Sequence, residues 1–110
     1  MATEPAPLTV QDWDDVPASE TPGDHGVMLS RVAEAAGRKL RVVELSPGYL
    51  ANHWCEKGHA AYVLYGELTL ERQGGERVVL RRGQGFAVGD GPPAHRARAG
   101  RKGARLFLVD

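Results

Sequence analysis

From Gly26 onward, apolar and polar residues alternate in short runs that Gly or Pro interrupts about every ten residues, the pattern of an all-β sandwich or barrel. The runs predict strands near 27–33, 39–45, 51–56, 59–65, 67–72, 76–80, 85–88, 94–99 and 104–109, with Leu68-x-Leu70, Val78 to Leu80 and Leu106 to Val109 supplying inward faces. Between them the turn chemistry is consistent. Pro47-Gly48 suits a type II turn, Gly74-Gly75 a tight hairpin, and Arg82-Gly83-Gln84-Gly85 and Gly100 to Gly103 offer further positions for positive φ. One stretch competes: Ala33, Glu34, Ala35 and Ala36 favour helix, but Gly37 and the shortness of the run allow no more than a turn. The first 25 residues differ in texture, because Pro5, Pro7, Pro17 and Pro22 prevent a continuous helix. They predict an extended arm (1–25) leading into a barrel domain (26–110), with Leu8, Val10 and Trp13 as anchors.

Length and charge narrow the function classes. A chain of 110 residues makes one domain with a real core. Its 14 basic and 14 acidic side chains cancel, which removes the electrostatic case for nucleic acid or an anionic membrane. The cancellation conceals an asymmetry. Residues 1–30 carry six acids and no Lys or Arg, whereas 76–110 carry seven Arg and one Lys against three acids, so the arm is expected to lie across a basic flank of its own or a neighbouring subunit. A single cysteine forms no internal disulfide and favours a reducing compartment. No apolar run reaches the roughly twenty residues of a membrane helix, and Met1-Ala-Thr-Glu4 lacks the basic and apolar regions of a secretory signal. Cytoplasmic residence is the expectation.

Chemistry concentrates in two places. The only cysteine and three of the four histidines fall in His53-x-Cys55-x-x-x-His59 and at His95. Residues two apart on a strand share a face, so His53 and Cys55 can converge, and a turn at Gly58 returns His59 beside them. Imidazole and thiolate are ligands that transition metals prefer, and four such donors gathered from two places read as a metal pocket. Ala61, Val63 and Tyr65 share the parity of His59 and should line the cavity, with the Tyr65 hydroxyl inside it. Arg96, Arg98 and Trp54 lie at the opposite parity, facing outward. His25, in a loop outside both clusters, reads as exposed. No phosphate loop, nucleophile elbow or pair of catalytic carboxylates is present.

The spacing His53-x-Cys55-x-x-x-His59-x(6)-Gly66, followed by Gly83-Gln-Gly-Phe-Ala-Val-Gly-Asp-Gly-Pro-Pro-Ala-His95, resembles the two motifs of the cupin superfamily across about residues 38–109. More narrowly, Asn52 to His59, Tyr62 to Leu68 and Leu106 to Asp110 look like the small bacterial DHCW-motif cupins, with Asn52 standing where Asp is expected. The resemblance implies a single-domain double-stranded β-helix (jelly-roll) barrel. It also implies a divalent metal ion held by His53, Cys55, His59, the last in the place of the family's glutamate, and His95. Three imidazoles plus a thiolate suit zinc; with Cys55 standing off, Fe, Mn or Ni fit an open three-histidine site.

The functional expectation is a metal-binding cupin holding or acting on a small organic molecule, as an oxygenase, isomerase or cyclase. The alternatives are a non-catalytic zinc or ligand-sensing barrel with a closed His3Cys shell, and a metal-free interaction module. Because the arm with Trp13 can cross to a second subunit, a homodimer is expected.

Overall fold

A computed structural model of the protein describes residues 5–110; the Met1 to Glu4 segment, with the first acid of the arm and the reading against a secretory signal, lies outside them. Among the described residues there are seven strands: β1 (Ser19–Pro22), β2 (Val27–Ala35), β3 (Arg38–Leu45), β4 (His59–Arg72), β5 (Arg77–Arg81), β6 (Gly85–Val88) and β7 (His95–Val109). All pairings are antiparallel, in the order β1-β2-β3-β7-β4-β5, with β6 on β4. The chain is an all-β barrel, as its alternation predicts.

Two differences from the predicted strands matter for the site. The runs 59–65 and 67–72 form one strand, as do 94–99 and 104–109, so β4 and β7 are 14 and 15 residues long. β4 has three neighbours and β7 two, the second being β3. The first half of β4 pairs with β6 and the second half with β5, while β7 runs beside β4 over both halves. Register shifts at Val63/Tyr65 and Gly66/Leu68 bend β4 enough to do this. Gly66 makes the second bend with φ of +78°, against the backbone of Gly103 and Ala104.

The second difference is at 51–56, which forms no regular strand. Leu50 bridges Arg98 and Cys55 bridges His95, so five residue steps on one side answer three on the other. The surplus residues loop out of the ladder. The helix-favouring run Val32 to Ala35 is strand, because each of its residues pairs with β3; the chain then turns at Ala36 and Gly37 with positive φ. Tertiary pairing outweighs local propensity there.

Val63 and Leu68 of β4 are fully buried, and they pack in one core with Leu70 of the same strand, Val43 and Leu45 of β3 and Leu106 and Leu108 of β7. Such side chains each contribute about 1.5–3 kcal/mol of burial free energy. The arm's second half joins the sheet as β1, paired with β2. Ahead of it, a short 3-10 turn at Trp13–Asp15 sets Trp13 edge-on to Phe107, ring centroids 6.2 Å apart, and the Arg31 guanidinium donates to the Val16 carbonyl at 3.1 Å. Of the three expected anchors only Trp13 is seated, since Leu8 and Val10 are each 89% exposed. The acids of the described arm make no ion pair with the chain's own basic flank; Asp12 instead caps the 3-10 turn.

Candidate metal centre

His59 opens β4 and His95 opens β7, and their rings meet nearly perpendicular with centroids 5.0 Å apart. Gly58 makes the approach of His59 possible. Any Cβ at that position would lie 2.5 Å from the Val88 carbonyl oxygen, and the Gly58 N–H donates to Asp90 Oδ1 at 2.6 Å. Cys55 sits directly across from His95, the two exchanging backbone hydrogen bonds of 2.8 Å in both directions, which places their side chains on the same face. The Lys57 N–H donates to Cys55 Sγ at 3.4 Å. These residues, with His53, line one cavity of about 280 Å³ inside the barrel.

His53 stands apart from the inward set. A regular ladder continued from Leu50 and Arg98 would place His53 opposite His95; the looped-out residues give that place to Cys55. His53 is exposed at the mouth, its Nδ1 3.0 Å from Asn52 Oδ1. An amide oxygen only accepts, so Nδ1 carries the proton in this contact. Asn52, which stands where the resemblance leads one to expect Asp, is thus the residue that orients this imidazole. It is anchored in turn to the Pro22 carbonyl at 3.3 Å.

The electrostatics favour the neutral form of the two inner imidazoles. Burial lowers the pKa of His59, the neighbouring His95 and Arg41 lower it further, and Asp110, 3.7 Å from its Nδ1, opposes them. Burial lowers that of His95 too, helped by Arg72. Neutral imidazole is the form that binds metal. His95 is 4% exposed, and neither ring nitrogen has a hydrogen-bond partner. As the side chains stand, no three His, Cys, Asp or Glu among the described residues are close enough together to hold an ion. The donors share a cavity without yet forming a shell. Their chemistry, and the two orphaned nitrogens of His95, fit a metal.

No protein-family model and no curated protein matches the sequence. Solved structures do match. Fe(II)-HppE with an alternative substrate superposes with a TM-score of 0.74 at 16% identity, over 94% of this chain and 60% of that one. Ectoine synthase from P. lautus gives 0.71 at 19% identity, covering 93% and 76%. A sugar phosphate isomerase of the cupin superfamily from Silicibacter pomeroyi gives 0.67 at 23% identity, covering 92% and 74%. The chain has the cupin fold.

Within this cupin barrel the expected pocket lining needs correction. Ala61 and Val63 point inward but lie in the hydrophobic core, outside the cavity lining. Tyr65 is 52% exposed, because the bulge after Val63 sets Leu64 and Tyr65 against one step of β7 and turns Tyr65 outward. The outward arginines are not simply solvated. Arg96 and Arg98 approach Glu71 at 3.1 and 3.3 Å and Arg77 does so at 3.2 Å, so that Glu71 is 4% exposed, while Arg96 also lies 4.4 Å over the ring of Trp54. His25 is exposed as expected.

Three residues of the site escaped the sequence reading: Asp110 beside His59, Arg41 and Lys57. Arg41 had a signal. Lys39 and Arg41 share parity with the buried Val43 and Leu45, and a cation on the inward face of a strand marks a cavity mouth. Among the described residues no helix is long and apolar enough to cross a membrane.

Proposed function

We propose that this cupin binds one divalent transition metal ion through His59, His95 and Cys55, with His53 swinging in from the mouth, and holds a small organic molecule beside it. The observation that carries the reading is His95. Both of its ring nitrogens are buried and unpaired, and each such group costs about 1–3 kcal/mol unless something binds it. His59 faces it across the cavity, and Cys55 is its cross-strand partner. Three imidazoles and a thiolate favour zinc in a closed shell, a binding or sensing role. With Cys55 Sγ bonded only to the Lys57 backbone, as it now stands, three imidazoles leave open positions suited to Fe, Mn or Ni, where the ion would supply Lewis-acid or oxygen-activating chemistry to an oxygenase, isomerase or cyclase. The Fe(II) in the HppE structure supports that second form.

A homodimer accompanies this proposal, since Leu8 and Val10 project from the arm with nothing among the described residues to cover them, and the free thiol of Cys55 fits cytoplasmic residence. Metal content of protein purified without added metal or chelating tag tests the site. His95→Ala should lose the ion; full occupancy in that variant would sink the assignment. Zinc lost in Cys55→Ser identifies the closed shell, and another metal retained there identifies the open one.

A further inference from the structure

The cavity walls are mostly apolar, with Met28, Val43, Leu68, Leu70, Phe86 and Leu106 among them. The fixed charges on the same lining are Lys39, Arg41, Lys57 and Arg96 against Asp110 alone. Arg96 is turned away, committed to Glu71 and stacked on Trp54. Asp110 is shared by Arg41, at 3.0 Å, and Lys39, at 3.9 Å, and Glu34, the register partner of Lys39, adds a second carboxylate only at the outer rim. Lys57 has no ion pair among the described residues. Its backbone is pinned beside the site by the hydrogen bond to Cys55 Sγ, so its ammonium is tethered at the mouth. Arg41 holds Asp110 with both ends of its guanidinium, Nε 3.0 Å from Oδ2 and Nη2 donating to Oδ1 at 3.0 Å, which leaves Lys57, among the described residues, as the unpaired cation of the lining.

Lys57 stands exposed at the mouth of this mostly apolar cavity, where an anion seated against the wall would gain a charge-assisted hydrogen bond that a neutral molecule would not. We propose that the ligand is a compact organic anion, an apolar body bearing one carboxylate or phosphate, whose charge is met by Lys57 at the mouth while its body fills the apolar wall. The inference rests on reading the barrel interior as a ligand pocket, and it names the ligand's class. A volume of about 280 Å³ restricts the body to a single ring or a short branched chain. A bound metal dication would add to the same excess of positive charge.

Isothermal titration of the purified protein with benzoate, benzamide and phenyl phosphate tests this, since the first two share a shape and differ in charge. Benzoate or phenyl phosphate should bind at least about tenfold more tightly than benzamide. Whichever anion binds better identifies the carboxylate or the phosphate as the charged group. The preference should shrink several-fold in Lys57→Gln and return in Lys57→Arg. Equal affinity for benzoate and benzamide, binding of none of the three, or an undiminished preference in Lys57→Gln would overturn the proposal. Metal content measured on the same samples separates the two readings. An anion preference that survives in metal-free protein would leave this inference standing while the metal assignment fails; metal-replete protein with no preference would do the reverse.

Discussion

Replacing Gly66 by Ala should destabilise the barrel far more than the same change at Gly48, although both glycines have nearly the same backbone angle. Gly66 has φ of +78° and Gly48 of +71°, so in each an added Cβ meets the left-handed penalty of roughly 1–2 kcal/mol. A Cβ added at Gly48 meets nothing within 4 Å, and an alanine there bears that penalty alone, partly offset by about 0.4–1 kcal/mol from a less flexible unfolded chain. At Gly66 the new methyl meets the Gly103 carbonyl oxygen, with Gly103 C at 2.9 Å and Ala104 Cα at 3.0 Å, all backbone of the paired strand β7. No side chain can rotate aside. Opening the β4–β7 ladder adds about 1–3 kcal/mol, for a total of about 3 kcal/mol at Gly66 and under about 1 kcal/mol at Gly48. With an unfolding entropy of about 2 cal/mol/K per residue, Tm should fall by about 13 °C in Gly66→Ala and by less than about 4 °C in Gly48→Ala. Thermal melts by circular dichroism, run with chelator so that bound metal stabilises none of the samples, give the comparison. Equal Tm losses in the two variants would refute the backbone-contact argument and leave φ as the whole effect.

Two further outcomes follow from the outer face. Burial raises the pKa of Glu71, but hydrogen bonds from Arg96 and Arg98 and the charge of Arg77 more than reverse this and hold it below its ordinary value. Its unfolded form therefore binds a proton first as pH falls. The stabilisation is complete above the ordinary carboxylate pKa and is lost as pH drops through the native one. Urea midpoints at pH 7, 5 and 3 should show Glu71→Gln less stable by about 1–3 kcal/mol at pH 7, with the gap closing toward pH 3; a constant gap would contradict the assignment. Tyr65→Phe should leave metal content and benzoate affinity unchanged, because the hydroxyl lies on the outer surface; a loss of either, measured by elemental analysis and titration, would return Tyr65 to the pocket.

Much of this molecule was legible from the order of its residues. Period-two alternation located most strand positions, since one buried face imposes it on any strand, and Pro47-Gly48 forms the expected turn, closed by the Tyr49 N–H to the Ser46 carbonyl at 3.0 Å. The clustering of His53, Cys55, His59 and His95 pointed to the cavity they all line. What the sequence could not decide is register. Alternation is a local rule, whereas a bulge exists only relative to the strand it fails to match. The surplus residues between Leu50 and Cys55 move His53 to the mouth, and the bulge after Val63 turns Tyr65 outward; both depend on where β7 pairs. The same holds for Glu71 and Asp110. Neither carries a local signal, and each acquires its role from partners far along the chain, Arg96 and Arg98 for the first, Arg41 and His59 for the second. Residue types and spacing determined which chemistry this chain holds, and the pairing of β4 and β7 decided which of those residues face one another.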